Sequence, residues 1–600
     1  VLHDHNFTAG VEPRPEKPSN IVMRTQMGLG DPDAAFKDAD IIIERSFKTA
    51  AVHQGYIEPH AAVAEWSEDG QCRIWCSSQG HFMVRTYTAA LLKMELSQIR
   101  VTPAEIGGGF GGKLTVYVEP VAVLLARKAK RPVRIVMSRQ EVFRATGPTS
   151  GTSIDVKIGA KKDGRLVAGA AEFRYQAGGF AGSPVGPACM TAFACYDLAH
   201  SRAVGYEVLV NRPMCVAYRA PGAPMAALAV ESVIDEIAQK LNIDPIELRL
   251  MNASKEGTAA AYGPNFEAIG NIECLNAVKN HPNYKIPLGP NQGRGIASGF
   301  WFNFGGQSSA AINIAADGTV TVAYGCPDIG GSRASMALIA AEVLGIEFEK
   351  VRPVIGDTST VGFNDVTGGS RITFATGMAV IQAAEDAIVK LRERAALLWE
   401  ISIDEVVWED GYARPASANA GDFEPLSLAR LAEQAPLTGG PVIGNASLNA
   451  NGPGPAFGTH MCDVEVDPET GHVTVLRYLV TQDAGKAIHP SYVEGQMQGG
   501  ATQGIGWALN EEYVYGADGR LQNAAYLDYR VPVASDLPMI DTVIIEVPSP
   551  SHPFGVRGVG EVSIVPPLAA IANAVSRAIG ARMTSLPMSP PKILKVIEGK

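Results

Sequence analysis

Apolar and polar positions alternate in short runs along much of the chain, which is the pattern of half-buried β-strands. Two stretches instead carry an apolar residue every three or four positions: one follows Pro221 and includes Val230 and Ile237, and a longer one spans roughly 374–399. That period predicts amphipathic α-helices, the first with proline at its start. The runs that predict strands are 41–47, 61–66, 319–324, 473–479 and 542–547. Because strands and helices mix throughout and no repeat of fixed length is visible, we expect an α+β protein.

Two stretches break the periodic pattern. Residues 1 to about 35 are rich in proline, glycine and asparagine and predict an irregular arm, whereas residues 252–294 show little periodicity and predict a connector. We therefore expect two large lobes. Their predicted boundaries are 1–255 for the first domain, 256–292 for the connector and 293–600 for the second domain.

The segment 490–509 has a helical phase although it carries five glycines. Each interior glycine costs about 0.8–1 kcal/mol of helix stability relative to alanine, or roughly 4–5 kcal/mol in all, so something must offset this loss. Close approach of another helix is one explanation. The other is a polar ligand that lies against Gln496, Gln498 and Gln503, whose amides both donate and accept hydrogen bonds.

Composition changes this picture little. The chain has 600 residues, of which 46% are hydrophobic and 19% charged, values ordinary for a globular protein of several domains. Its net charge of -11 argues against a nucleic-acid footprint. No uninterrupted apolar run reaches the roughly 18–20 residues of a membrane-spanning helix, so we expect a soluble protein.

The eight cysteines are too sparse for a disulfide scaffold, and none has the spacing of a zinc or iron–sulfur site. Buried thiols in a reducing compartment are the expectation, which favours the cytoplasm. The chain begins at Val1 without a methionine, as an internal position of a longer gene product would, so a periplasmic location stays open.

A glycine-rich loop at 107–113 matches the first seven positions of the nucleotide-binding P-loop, Gly-x4-Gly-Lys. The eighth position should be Ser or Thr to hold magnesium, and here it is Leu114. Five glycines around Phe110 also exceed what a phosphate cradle requires. We therefore favour a backbone cradle that faces a cofactor, then a structural glycine turn, and an NTPase last.

Glu561 stands out among the acidic residues. It closes the glycine-spaced run 555–561 and is followed by two prolines and an apolar segment. A ligand can approach a carboxylate on such a turn closely, and withdrawal from water raises the pKa of a carboxyl group, which suits a general base. A surface acid on a mobile loop is the alternative, and for a lone glutamate it is the simpler one.

Several motifs occur in one order along nearly the whole chain, and together they carry a resemblance. They are 77–80 with Gln79, the loop 107–113, 217–224 with Arg219, the glutamine- and glycine-rich helix after 483–485, and 558–561 with Glu561. In this order and spacing the chain resembles the molybdenum-cofactor subunit of the xanthine oxidase family of molybdenum hydroxylases. The resemblance implies a two-lobed α+β fold with a pterin cofactor buried between the lobes, and a small N-terminal α/β domain that is largely missing from this sequence.

The resemblance also assigns roles to residues. Glu561 would be the base, Gln79 would hydrogen-bond an oxygen ligand on molybdenum, and Arg219 would sit at the substrate. Residues 368–371 resemble a cofactor-binding turn in which Ser370 suits a phosphate, although an ordinary helix cap is equally expected. The residues expected to bind the cofactor are Gly109, Phe110, Gly111, Ala220, Gly369, Ser370, Arg371, Gln496, Gln498, Gln503 and Gly560, and no side chain is expected to bind the metal.

The reaction that the resemblance implies is oxidation of an aldehyde or an N-heterocyclic aromatic C–H with oxygen from water, in which the cofactor carries the redox chemistry. The molybdopterin is expected in its cytosine dinucleotide form. Because the cysteine spacing of iron–sulfur clusters is absent, a 2Fe-2S subunit and an FAD subunit are the expected partners, with a separate N-terminal fragment as a further option. A non-catalytic cofactor carrier or inactive scaffold is the alternative.

Departures from the family pattern bear on the substrate. Ala220 stands where the CO-oxidising branch has cysteine, so copper-dependent CO oxidation is not expected. Leu114 stands where purine-oxidising members have glutamate, which weakens the assignment of xanthine. Gly331 replaces a glutamine common in relatives near the cofactor. Residues 300–304 offer an aromatic wall for a flat substrate, unless their rings belong to the core.

Overall fold

The computed structural model describes residues 19–420, 422–452 and 454–599. Part of the predicted irregular arm, residues 1–18, lies outside them. The described part of the arm differs from the prediction, because Ile21–Leu29 is a β-strand. This strand pairs with Ser201–Leu209, and only that partner, distant in sequence, makes the stretch extended.

Strands occur from the first described residues to the C-terminal region. In chain order they are β1 (Ile21–Leu29), β2 (Ile41–Thr49), β3 (Ala61–Trp66), β4 (Cys72–Cys76), β5 (Ile99–Pro103), β6 (Val133–Val136), β7 (Thr152–Ala160), β8 (Leu166–Gly178), β9 (Ser201–Leu209), β10 (Gln292–Trp301), β11 (Gly306–Ile314), β12 (Val320–Tyr324), β13 (Val351–Ile355), β14 (Val406–Glu409), β15 (Tyr412–Pro415), β16 (Leu426–Ser427), β17 (Ile443–Ala450), β18 (Ala456–Val466), β19 (Val473–Asp483), β20 (Ile540–Ile545) and β21 (Ser585–Leu586). The five predicted strands are confirmed as β2, β3, β12, β19 and β20.

Helices are interspersed among these strands. In chain order they are α1 (Pro32–Ala35), α2 (His81–Leu92), α3 (Glu119–Ala129), α4 (Arg139–Ala145), α5 (Val185–Thr191), α6 (Ala223–Leu241), α7 (Pro245–Asn252), α8 (Asn271–Asn280), α9 (Ser332–Leu344), α10 (Gly377–Trp399), α11 (Leu428–Glu433), α12 (Ala435–Thr438), α13 (Pro490–Leu509), α14 (Pro567–Ile579) and α15 (Pro590–Glu598). The two predicted helices are confirmed as α6 and α10, and α10 is preceded by a π-helical turn at Ile372–Thr376. Helix α8 lies in the predicted connector; it buries few apolar side chains, too few to give a clear period.

The strands form mixed sheets, as the α+β prediction requires. One sheet has the order β1–β9–β8–β7–β2–β21, a second β10–β18–β19–β20, a third β13–β12–β11–β17, a fourth β5–β4–β3–β6, and a small one β14–β15–β16. In the first sheet, β21 pairs in parallel with β2, with Leu586 opposite Thr49. The C-terminal part of the chain therefore returns to the sheet that the N-terminal part begins.

Helix α14 packs in the core against β10, β18 and α6. Two glycines of β10 make this close packing possible: a Cβ atom on Gly293 or Gly295 would lie 2.0 or 1.9 Å from a carbonyl oxygen of α14. The turn that carries Glu561 immediately precedes this helix. The base candidate is therefore anchored to the most tightly packed part of the second sheet.

Two helical stretches bear on the expected absence of a membrane span. By length and composition alone, Ile372–Trp399 and Val562–Ile579 could cross a membrane. However, 61% and 89% of their most apolar 18-residue segments are buried inside the protein, which is typical of core helices. The predicted thiol state holds, since all eight cysteines are free and buried.

Candidate active site

A cavity of about 720 Å³ lies where the glycine loop, the Glu561 turn and helix α13 meet. Its walls come from segments widely separated in sequence. They lie within residues 79–114, 217–221, 301–306, 328–335, 365–373, 484–496 and 556–561. A cavity of this size can enclose a large organic ligand. The motifs that are dispersed along the sequence therefore converge on one site.

Glu561 is partly exposed and lines this cavity. Its Oε1 accepts a hydrogen bond of 3.0 Å from the backbone N–H of Ala220, and its Oε2 accepts one of 3.0 Å from the Ser370 hydroxyl. Loss of hydration raises the pKa of Glu561, while the two hydrogen bonds and the Arg219 guanidinium lower it. The net effect is a pKa above the usual value, so Glu561 binds a proton more readily than a free glutamate does, which suits a general base.

The turn at 368–371 presents Ser370 to Glu561. Gly369 and Ser370 both adopt left-handed backbone conformations, with φ of 71° and 58°. A Cβ on Gly369 would lie 2.0 Å from Cδ2 of Phe304, so only glycine fits beneath that ring. The resemblance gave Ser370 to a cofactor phosphate, but its hydroxyl is bonded to Glu561 in this structure.

Arg371 is directed away from the cavity centre into the protein. Its Nε donates to the Gly305 carbonyl (2.6 Å), and Nη2 donates to the Gln307 carbonyl (2.7 Å) and the Ser308 hydroxyl (2.6 Å). The Arg371 side chain is buried, and only part of its surface lines the cavity in which the cofactor is predicted to bind. These hydrogen bonds connect the turn at 368–371 to strand β11 and the residue before it.

Arg219 also connects separate segments, and it lies in the cavity wall beside Glu561. Its Nε donates to the Gly560 carbonyl (2.5 Å), Nη1 to Oε1 of Gln503 (3.0 Å), and Nη2 to the Gln496 carbonyl (2.8 Å). Burial lowers the pKa of Arg219 to about 10, which leaves it charged at neutral pH. The guanidinium therefore links the Glu561 turn to helix α13, and it also lines the cavity; its predicted role at the substrate stays a prediction.

Gln79 holds the glycine loop. Its Oε1 accepts hydrogen bonds from the backbone N–H groups of Gly111 (2.9 Å) and Lys113 (3.1 Å), and its Nε2 donates to the Thr367 carbonyl (2.8 Å). One of the two Nε2 hydrogens is engaged by Thr367, and the residue lines the cavity. The second hydrogen is the group that can reach a cavity ligand.

The conformation of the glycine loop fits a cradle. Phe110 has a left-handed φ of 51°, and a Cβ on Gly109 would lie 2.5 Å from Oε1 of Gln79. The loop lysine does not point to a phosphate site, since Lys113 is buried and bonded to Glu58, with Nζ and Oε2 2.6 Å apart. This geometry argues against the P-loop alternative.

The packing of helix α13 explains why it contains glycines. A Cβ on Gly500 or Gly504 would lie 2.0 Å from Ser563 Oγ or 2.3 Å from Pro567 Cβ, so these glycines allow the Glu561 segment to pack closely. The three glutamines of this helix have different contacts. Gln496 lines the cavity, and Gln503 accepts a hydrogen bond from Arg219. The Nε2 of Gln498 donates to the Ile540 carbonyl (3.2 Å). Gln498 is thus not among the residues that line the cavity.

The aromatic run divides between core and cavity. Phe300 packs in the core against Phe457 and Phe266, whereas Trp301 and Phe304 line the cavity. Phe304 is 49% exposed, so its ring can contact a flat molecule.

Sequence reasoning overlooked other residues of this wall. Tyr492 and His489 line the cavity and stack on each other, with ring centroids 3.8 Å apart. A Cβ on Gly331 would lie 2.2 Å from the Tyr492 ring, so the ring fills the space beside this glycine. The signal was available, because Tyr492 precedes Gln496 by one helical turn. Ser563, which receives a hydrogen bond from Arg219, gave no signal in the sequence.

The residues of the cavity fit a pterin cofactor. Glycine backbone forms part of the wall, at Gly108, Gly111, Gly330 and Gly560, so a bulky ligand can approach the chain closely there. Among the described residues there is no cluster of three His, Cys, Asp or Glu side chains for a metal ion.

Comparison with known proteins agrees with this geometry. The model of the molybdopterin cofactor-binding domain matches residues 13–253, and a second model of that description matches 288–538. The chain is 30% identical to the xanthine dehydrogenase molybdenum-binding subunit of Escherichia coli O157:H7, over 96% of this chain and 79% of that one. It is 31% identical to the aldehyde oxidoreductase molybdenum-binding subunit PaoC of the same organism, over 94% and 77%.

The fold is also that of solved relatives. Quinoline 2-oxidoreductase from Pseudomonas putida 86 superposes with a TM-score of 0.90 at 25% identity, over 99% of this chain and 82% of that chain. A mixed α+β fold with a glycine-walled cavity and an enclosed carboxylate defines a molybdopterin-binding oxidoreductase. The chain belongs to the xanthine oxidase family as a molybdenum-binding subunit, and it is a molybdenum hydroxylase. The predicted family, fold class and enzyme class are confirmed.

Proposed function

We propose that this subunit oxidises an uncharged aldehyde or N-heterocyclic aromatic compound, with Glu561 as the general base. The observation that carries the proposal is the enclosed Glu561 carboxylate, held by Ala220 and Ser370 on the wall shared with the glycine cradle. A molybdenum–pterin cofactor, when bound, would supply the two-electron oxidation and the oxygen-transfer chemistry. Glu561 takes the proton that the reaction releases.

The glycine loop and Gln79 would hold the metal end of the cofactor. Gln79 is fixed by two backbone N–H groups, so its free amide hydrogen has a defined direction. Gln496, beside Gly330, lies where it can bind the pterin. We propose the cytosine dinucleotide form of the pterin, with Gly109, Phe110, Gly111, Ala220, Gly369 and Gly560 as backbone contacts. Ser370 and Arg371 line the cavity and stay proposed cofactor contacts, whereas Gln498 and Gln503 bond to the Ile540 carbonyl and to Arg219.

The walls of the cavity support an uncharged substrate. Leu114 and Val366 are apolar, and the Phe304 ring is open to the cavity. Relatives are named for aldehyde oxidation and for oxidation of quinoline, an uncharged flat heterocycle. Charged groups such as Asp328 and Lys486 also line the cavity, so the preference for an uncharged group applies where the substrate contacts Leu114.

Electrons must leave the site after each turnover. The eight cysteines of the chain are free and buried. We infer that a 2Fe-2S subunit and an FAD subunit receive them and that the complex works in the reducing cytoplasm. We also propose domains at 1–255 and 293–600 joined by 256–292; the two matched ranges support this division.

The test is metal analysis combined with dye reduction. Purified complex should contain about one molybdenum per chain and reduce ferricyanide with benzaldehyde or quinoline as electron donor. Molybdenum without reduction by any aldehyde or azaarene of a panel would support the cofactor-carrier alternative. ATP binding should be undetectable, because Lys113 is bonded to Glu58.

A further inference from the structure

The two oxygens of Glu561 have partners of different chemistry. Oε1 accepts a hydrogen bond from the Ala220 backbone N–H, which can only donate. Oε2 accepts one from the Ser370 hydroxyl, which can both donate and accept. A proton placed on Oε1 would face the Ala220 N–H directly. A proton on Oε2 would face a group that can turn and accept it.

A buried acceptor lies close to Ser370. Oδ1 of Asn303 is buried and has no hydrogen-bond partner among the described residues, while its Nδ2 donates to the carbonyls of Gly454 and Gly558. The Cβ of Ser370 and Oδ1 of Asn303 lie 2.6 and 2.8 Å from one point, the position of a Cβ on Gly558. No hydrogen bond joins the Ser370 hydroxyl to Asn303, so Asn303 acts by holding the Gly558 backbone against Ser370.

The backbone fixes Ser370 in this place. Its left-handed φ of 58° follows Gly369, on which the Phe304 ring packs, and the Phe304 N–H donates to the Gly369 carbonyl (2.8 Å). A Cβ on Gly558 would lie 2.3 Å from the Ser370 carbonyl oxygen, so the Glu561 turn packs directly on this residue. A non-glycine residue in such a conformation is uncommon and marks a positional requirement.

We propose that Ser370 is a positioning residue for the base, and that its hydroxyl makes Oε2 of Glu561 the oxygen that takes up the substrate-derived proton. Before transfer, Ser370 donates to the charged Oε2. After transfer, the new O–H on Oε2 donates to the Ser370 oxygen, and the Ser370 hydrogen turns away from Oε2. No electrons move in this step, and Ala220 keeps its bond to Oε1 throughout. This inference rests on the proposed role of Glu561 as base.

The charged surroundings of Glu561 are defined. Arg219 acts on it from the segment before α6, and this charge lowers the pKa of Glu561. The other titratable groups of the cavity wall are Asp328, Asp365, Arg371, Lys486, His489 and Arg557. Tyr492 is a further titratable group of this wall. The largest causes of the shift in the pKa of Glu561 are burial and its contacts with Ala220, Ser370, Arg219 and Trp301, so Ser370 is one of the groups that set this pKa.

The test compares Ser370→Ala with Ser370→Gly in the purified complex, using quinoline or benzaldehyde and ferricyanide. Both variants remove the hydroxyl; alanine keeps the Cβ that serine already has in this left-handed conformation, and glycine removes the Cβ and adopts the conformation without strain. Loss of a hydrogen bond to a charged carboxylate should raise the pKa in the acid limb of kcat/KM by about 1–2 pH units in both variants. Molybdenum content should equal that of the unmodified protein.

The matched control is Ser309→Ala, which removes a buried hydroxyl that bonds Asn364 and not Glu561. It should lose similar stability and leave the acid limb in place. An unshifted limb in both Ser370 variants, or a shift in alanine alone, would overturn the role of the hydroxyl. Failure of the underlying function has a different signature, namely full activity of Glu561→Gln.

Discussion

The backbone N–H of Ala220 donates a hydrogen bond to Oε1 of Glu561 over 3.0 Å, although 341 positions separate the two residues. The neighbouring Arg219 donates to the Gly560 carbonyl on the same turn. Two adjacent residues of one segment therefore fix both the backbone and the carboxylate of the base. This double attachment sets the position of Glu561 in the cavity before any ligand binds.

Replacing Glu561 by glutamine should remove the base and leave the cavity nearly unchanged. Positioned general-base catalysis contributes about 10²- to 10⁴-fold, so kcat should fall by that factor while molybdenum stays bound. Steady-state kinetics with metal analysis checks this. Glu469→Gln, at an exposed turn, is the control and should keep normal activity. Turnover within tenfold of normal in Glu561→Gln would contradict the assignment.

Replacing Arg219 by methionine should destabilise the site, because the Gly560 carbonyl and Oε1 of Gln503 lose the donor that Arg219 provides. Each buried acceptor left unsatisfied costs about 1–3 kcal/mol, so the protein should lose several kcal/mol of unfolding free energy along with activity. Chemical denaturation measures the loss. Arg520→Met, whose side chain is 85% exposed, should change stability by no more than about 0.5 kcal/mol. Equal stability of the two variants would show that the hydrogen bonds of Arg219 do not stabilise the site.

Glycines of helix α13 should respond in opposite directions to alanine. Gly495 has no atom within 4 Å of its added Cβ, whereas Gly500 would place one 2.0 Å from Ser563 Oγ. Gly495→Ala should stabilise the protein by about 0.8–1 kcal/mol through helix preference. Gly500→Ala should destabilise it and lower activity, because the Glu561 segment must move. Denaturation of the pair checks this, and a stabilising Gly500→Ala would refute the close packing.

Glu511 should make stability depend on pH. Burial raises its pKa from 4.5 to about 8, while a hydrogen bond from Tyr529 lowers it. Between these values the folded state keeps a proton that the unfolded chain releases, so stability falls by roughly 1.4 kcal/mol per pH unit as pH rises. Glu511→Gln removes this term. The unfolding free energy of Glu511→Gln minus that of the unmodified protein should be near zero at pH 4 and should increase up to pH 8.

The control for this prediction is Glu512→Gln, at the next position, where the side chain is 33% exposed and lies 3.5 Å from Lys592. Its stability difference should stay small and nearly constant over the same range. Denaturation curves at pH 5, 6, 7 and 8 provide the comparison. A flat difference for Glu511→Gln would mean that Glu511 is ionised in the folded protein.

Local pattern was sufficient for much of the fold and for the choice of motifs. The strands β2, β3 and β19 and the helices α6 and α10 follow from periodicity, because each buries one face over a long enough stretch. Strand β1 and helix α8 were not predicted. Their local sequences carry a weak period, and it is their partners that make them regular.

The sequence by itself determined which residues are unusual: Glu561 after its glycines, the loop 107–113, Gln79 and the glycine-rich helix. Only the tertiary structure decided what each of them does. Arg219, Gln498 and Ser370 carry polar groups that can bond to a ligand or to the protein with equal ease, and the choice depends on which atoms lie within about 3 Å. Those neighbours come from segments hundreds of residues away, so no local pattern records them.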